Sequence, residues 1–135
     1  MPILLTCIVG KQLCNEPSEN HWSLRDASAQ MLRKICKTFK SSYGTIRPRV
    51  TKTLLRAFLD PSKPLTSHYG AIVGLAALGH ETIKLMVIPH IKSYGAMLEP
   101  MLKHEDPLIA NEATRCYSVL LARRVRKNIF FLNIF

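Results

Sequence analysis

The sequence predicts an all-helical fold built as a stack of paired helices, and three observations predict it. Apolar residues recur at three- and four-residue spacing through most of the chain. The breaks between these runs are short and composed of helix stops, such as Ser41-Ser42-Tyr43-Gly44 and Asp60-Pro61-Ser62. No segment shows the alternating pattern of a strand bounded by turn residues. About five or six helices in a right-handed stack are expected.

Each element follows from local signals. Ile3–Cys14 reads as the first helix, ended by Asn15-Glu16-Pro17-Ser18. Asn20 caps a second that runs to about Phe39, with Ala29, Leu32, Ile35, Cys36 and Phe39 at helical spacing and Trp22 two turns earlier. Thr45 caps the third, where Pro48 is tolerated because a first-turn residue has no intrahelical bond to lose. Its inward face is Val50, Leu54, Ala57 and Phe58. Thr66 or Ser67 caps a short fourth helix through Leu78, and Gly79 ends it. The next starts near His80–Glu81 and runs towards Lys103, with Pro89 kinking it or splitting it in two. Asp106-Pro107 opens the last helix, an acidic cap followed by a first-position proline. Its apolar face is Leu108, Ala113, Cys116 or Tyr117, and Leu120.

Composition narrows the function classes. A chain of 135 residues suits one domain, and 47% apolar content with six glycines excludes intrinsic disorder. The apolar runs Ile3–Val9 and Ile129–Phe135 fall well short of the roughly 18 residues of a spanning helix. Lys11 follows the apolar start instead of leading it, which is not the pattern of a signal peptide. An intracellular protein is therefore expected, with Cys7, Cys14, Cys36 and Cys116 as buried reduced thiols. Nineteen Lys and Arg against nine Asp and Glu, net +10, favour acidic partners.

The helices pair in a repeating way. Aligning Ala27-Ser28-Ala29 with Ala71-Ile72-Val73 sets Arg25-Asp26 over Tyr69-Gly70, an offset of 44 positions. Small residues cluster early in both units, as helices that approach closely require. A helix pair of about 40–47 residues is the HEAT/armadillo period, so a HEAT-like α-solenoid is the first expectation and an irregular helical bundle its alternative. The expected division is a domain over 1–127, with units near 1–18, 19–62, 63–105 and 106–127, then an apolar tail at 128–135.

Two long motifs carry a family resemblance. The run NHWSLRDASAQMLRKICKTF, with Asn20, His21, Trp22, Leu24, Arg25 and Asp26, is followed by RVTKTLLRAFLDPSKPLTSHYGAIVGLAALG. The second run holds Tyr69, Gly70, Ala71, Ile72, Gly74, Leu75, Leu78 and Gly79. In this order they resemble the C-terminal HEAT-repeat domain of the TFIID subunit 6 (TBP-associated factor 6) family, over about Ile3 to Leu102. Thr6–Cys14 also looks like that family's preceding helix. The resemblance implies a nuclear scaffold that joins other TFIID subunits in RNA polymerase II initiation, with relatives serving SAGA. It leaves self-association open. The family's N-terminal histone fold is absent from these residues, and the end ARRVRKNIFFLNIF departs from the pattern.

Candidate chemistry reads as structural. Arg25-Asp26 is expected to be a hydrogen-bonded link at a repeat junction, since no nucleophile or second acid accompanies the pair and buried charges need partners. Trp22, Leu24, Tyr69, Gly70, Gly74 and Leu75 are expected in the same inter-repeat core. The five histidines lack metalloprotease spacing, and Gly70, Gly74 and Gly79 lack the GK[ST] ending of a phosphate loop. No catalytic residue, cofactor, metal or small-molecule substrate is expected. The basic residues carry functional weight: Arg33, Lys37 and Lys40 stripe the second helix, Arg49, Lys52 and Arg56 the third with Arg47 before them, and Arg123, Arg124, Arg126 and Lys127 crowd the last. An acidic segment of a partner protein is the first expected occupant, and non-specific contact with the DNA backbone the alternative.

Overall fold

The structure, a computed structural model, describes residues 2–13, 20–38 and 46–122. Every regular element among the described residues is helical. In chain order these are α1 (Pro2–Val9), α2 (Trp22–Thr38), α3 (Ile46–Leu59), α4 (Leu65–Ala77) and α5 (His80–Thr82). The last continues through a π-helical turn (Ile83–Val87) and a 3-10 turn (Ile88–His90) into α6 (Ile91–Leu102), and α7 (Pro107–Leu120) follows.

The first helix is shorter than predicted. It stops at Val9, not Cys14, with the Gly10 amide still reaching the Thr6 carbonyl at 2.8 Å. A β-carbon on Gly10 would lie 2.5 Å from that carbonyl oxygen, so glycine permits this tight exit. In α2 the Asn20 Oδ1 accepts from the Ser23 amide at 3.4 Å, the capping role the sequence assigns it. The buried face of α3 is Val50, Leu54, Ala57 and Phe58, as the spacing requires. After it, the Asp60 carboxylate accepts from the Ser62 amide at 2.9 Å and closes the turn. The predicted cap Thr45 and the predicted end Phe39 lie outside the described residues, as do Arg123–Lys127 and the 128–135 tail.

The start of α4 differs from expectation. Thr66 and Ser67 are not caps but lie inside the helix, which begins at Leu65 behind Pro64. Both hydroxyls are taken by carbonyls of another segment, described below. The helix does end at Gly79, whose φ of +129° is a conformation that side-chain-bearing residues rarely adopt. Pro89 divides the next stretch as predicted. Lacking an N–H, it breaks the regular ladder, and the chain widens into the π turn before it and tightens into the 3-10 turn around it. Asp106 caps α7, its Oδ1 accepting from the Leu108 amide at 3.0 Å with Pro107 at the first position. Leu108 itself is exposed, contrary to the predicted apolar face: it lies in the first turn of α7, and the buried residues Ala113, Cys116, Val119 and Leu120 all come later in the helix.

The core is organised around α4. Twelve of its 13 residues are buried, and α1, α2, α3 and α7 all pack on it while α6 packs on α7. Such a helix is apolar on every side because every side has a neighbour. Ile72, Val73 and Leu75 are at most 1% exposed, and full burial of each stabilises the fold by about 1.5–3 kcal/mol.

Candidate functional site

Two places in this fold concentrate polar chemistry: a buried socket where α1 meets α2 and α4, and the exposed basic faces of α2 and α3.

The socket begins with a general deficit. The last carbonyls of any helix have no intrahelical donor. After α1 they are met by side chains from two other helices. Arg25 Nη1 donates to the Ile8 carbonyl and Nη2 to the Gly10 carbonyl, both at 2.7 Å. Between them the Ser67 hydroxyl donates to Val9 at 2.8 Å, and beyond them Thr66 donates to Lys11 at 3.3 Å. Four successive carbonyls, Ile8 to Lys11, are thereby satisfied by α2 and α4. A guanidinium suits this place twice over, since its planar fork spans two acceptors and its charge opposes the negative end of the helix.

Arg25 is fully buried, and its third contact fixes a neighbour's proton. Its Nε donates to His21 Nδ1 at 3.0 Å, so that nitrogen carries no hydrogen. Burial, and then the positive charges of Arg25 and Arg115, hold the His21 pKa below its ordinary value. Glu112 of α7 is pushed the other way by burial and by Asp106, with the Arg25 charge opposing.

Helix α4 closes the socket. Gly70 stands where a β-carbon would be 1.6 Å from the Ile8 carbonyl oxygen, a separation no side chain tolerates. At Gly74 a β-carbon would meet Leu54 at 3.0 Å and Ile8 at 3.3 Å, so this glycine lets α3 and α1 approach as well. Tyr69 donates its hydroxyl to the Asp26 carboxylate at 2.8 Å, and its ring meets Trp22 edge-on at 4.8 Å. The Arg115 guanidinium of α7 lies over the same indole, 5.0 Å from its ring centre. Leu75 is fully buried.

Leu24 does not join them. It is 44% exposed, because Trp22, Arg25, Ala29 and Leu32 define the inward face and Leu24 lies some 200° round the helix from Trp22. Three members of the socket, His21, Thr66 and Ser67, escape a reading of spacing. Their partners are distant in sequence, and Thr-Ser before an apolar run has the same appearance as a cap.

On the outside, Arg33 and Lys37 of α2 and Arg49, Lys52 and Arg56 of α3 are all exposed. Arg47 is committed elsewhere. Its guanidinium donates to the Leu78 carbonyl at the end of α4, where a cation also meets a helix C-terminus. Lys40 lies outside the described residues. Both helices pack chiefly on α4, with α1 against both.

Cys116 is a buried thiol, pushed by burial to about 12, and its Sγ donates to the Leu65 carbonyl at 3.2 Å. Cys7 and Cys36 are half-buried and free, and Cys14 is outside the described residues. Among the described residues no three His, Cys, Asp or Glu side chains gather as a metal site would require, and no helix is long and apolar enough to cross a membrane.

Comparison with known proteins bears on this arrangement. A family model described as the TAF6 C-terminal HEAT repeat domain matches residues 1–92. The Arabidopsis thaliana protein named transcription initiation factor TFIID subunit 6 is 44% identical over 124 residues, 90% of this chain and 23% of that protein. The Schizosaccharomyces pombe protein named SAGA complex/transcription factor TFIID complex subunit Taf6 is 42% identical over 121 residues, covering 89% of this chain and 27% of the other. A solved structure, the TAF6 C-terminal domain from Antonospora locustae, superposes with a TM-score of 0.61 at 27% identity, over 87% of this chain and 54% of that one. The fold is thus all-α and HEAT-like, and the chain spans about a quarter of the length of these two curated relatives.

Proposed function

The chain belongs to the TAF6 C-terminal HEAT repeat domain family, and from that premise we propose that it is a non-enzymatic scaffold of the general transcription factor TFIID, acting in the nucleus in RNA polymerase II initiation, with a further role in SAGA-type coactivators. The observation that carries the reading is the match of residues 1–92 to a family whose similar proteins bear those names. Its physical support is the way polar groups are used. The most elaborate polar cluster is spent on joining helices, which leaves rigid outer faces available for other subunits. Residues 1–127 act as the domain, in units near 1–18, 19–62, 63–105 and 106–127.

The acidic-partner surface consists of Arg33, Lys37, Arg49, Lys52 and Arg56, which are exposed on two helices of a chain of net charge +10. Capture from nuclear extract followed by mass spectrometry tests both statements. The chain is expected to recover TFIID subunits. The triple variant Arg49→Glu, Lys52→Glu, Arg56→Glu is expected to keep its helical circular dichroism and lose at least about tenfold of that recovery. Absence of TFIID subunits from the parent's eluate overturns the scaffold assignment. Equal recovery by the variant removes α3 from the binding surface.

A further inference from the structure

The side of α2 that turns away from the core is partly apolar. Leu24, Ala27 and Met31 are exposed, Leu24 by 44% and Met31 by 56%. Ile35 beyond them is half-buried. At i, i+3, i+7 and i+11 these four side chains fall within an arc of about 80° and run about 16 Å along the helix. They form a ridge of the kind one helix offers to the groove of another. The core does not use it, because the buried face of α2 is Trp22, Arg25, Ser28, Ala29 and Leu32.

The margin of this ridge carries one sign of charge. Lys34 follows Met31 by one turn at the edge of the ridge, and Lys37 and Arg33 lie further round the helix, all three exposed. The single acid of α2, Asp26, accepts the Tyr69 hydroxyl. Neighbouring α1, PILLTCIV, has no charged residue, and Lys11 comes after it. Within α1 and α2 the ridge is therefore accompanied by exposed cations and no unengaged acid. Its electrostatic complement is an apolar face bordered by carboxylates.

We infer that this face of α2 seats an acidic amphipathic helix of a partner protein, whose apolar side chains lie against Leu24, Ala27 and Met31 and whose carboxylates meet Lys34 and Lys37. A helix fits because a ridge at three- and four-residue spacing is matched by the same spacing on the partner, not by the two-residue alternation of a strand. A second copy of this chain would bring its own Lys34 and Lys37 to the contact and set like charges together. DNA phosphates would use the lysines and leave the apolar ridge in water. This deepens the acidic-partner reading, on which it rests, by giving that partner a shape and a seat.

Synthetic peptides titrated into the full chain test the seat. One has leucine at three- and four-residue spacing and glutamate elsewhere. A second replaces its glutamates with lysine, and a third its leucines with serine. The methyl NMR signals of Leu24, Ala27 and Met31 are the readout. The leucine–glutamate peptide is expected to move all three signals and to bind at least about tenfold more tightly than either control. Met31→Ser is expected to weaken it about fivefold. Lys34→Glu is expected to weaken it about tenfold, and Arg56→Glu, an equal change of charge on α3, about twofold or less. Equal binding of either control, equal losses in the two charge variants, shifts confined to other methyl groups, or no binding at millimolar concentration overturn the inference. So does movement of the same signals by a short DNA duplex, or by protein concentration alone, since either gives the face to another occupant. Failure to capture TFIID subunits leaves these titrations unaltered, so the two readings fail separately.

Discussion

Arg25 shows how a charge is kept in a protein interior by the work it does there. Its guanidinium holds the Ile8 and Gly10 carbonyls and His21 Nδ1, so its removal leaves several buried groups unpaired at once. Arg25→Ala is expected to lower stability by about 3–5 kcal/mol, read from urea unfolding, and Arg25→Lys to restore little, since one ammonium cannot reproduce the fork. Histidine adds a pH dependence. His21 and His68 both have folded-state pKa values depressed below the ordinary 6.5 by burial, so the unfolded chain takes up protons first. Stability is then full above about pH 6.5 and falls as the pH drops below it. The melting temperature is expected to decline from pH 7 to pH 5, and to decline less steeply in His21→Asn. A flat profile in the parent chain would contradict this assignment.

The elements were the most legible part of the sequence, wherever a local rule decided them. Asn20, Asp106-Pro107, Pro89 and Gly79 act on backbone within a few residues of themselves, and all four do what their residue types dictate. Asp106→Ala is accordingly expected to cost about 1 kcal/mol, the usual worth of an N-cap. Gly79→Ala is expected to cost about 1–3 kcal/mol for its φ of +129°, and denaturant midpoints rank the two. Thr66 and Ser67 show where local rules stop. Their acceptors lie 55 and 58 residues away, and nothing in the neighbouring sequence distinguishes a hydroxyl that caps its own helix from one that closes another. Leu24 is a miss of a different kind. It sits inside a motif, yet motif membership does not fix a face, and the helical angle from Trp22 turns it outward.

At the scale of the whole molecule, the offset of 44 positions was read as a repeat period, and the residues it aligns lie near one another in the fold. It set Arg25-Asp26 over Tyr69-Gly70, and in the fold Tyr69 bonds Asp26 while Gly70 leaves room for the α1 carbonyl that Arg25 holds. The sharing of α4 by α1, α2, α3 and α7 was not visible in the spacing, since amphipathic helices do not name their neighbours. A linear array unfolds unit by unit, whereas helices that share one core member unfold together. Far-UV circular dichroism and Trp22 fluorescence are expected to give one midpoint. Two separated midpoints would show the units to be independent.

The position of α4 in the chain has a consequence during synthesis. Three of the helices that pack on it, α1, α2 and α3, are made first, and at about 5–20 residues per second the ribosome takes several seconds to pass from α1 to the end of α4. Through that interval three nascent rods carry oily stripes with only one another to lie against, which makes them clients for chaperones until Leu65–Ala77 emerges and gathers them.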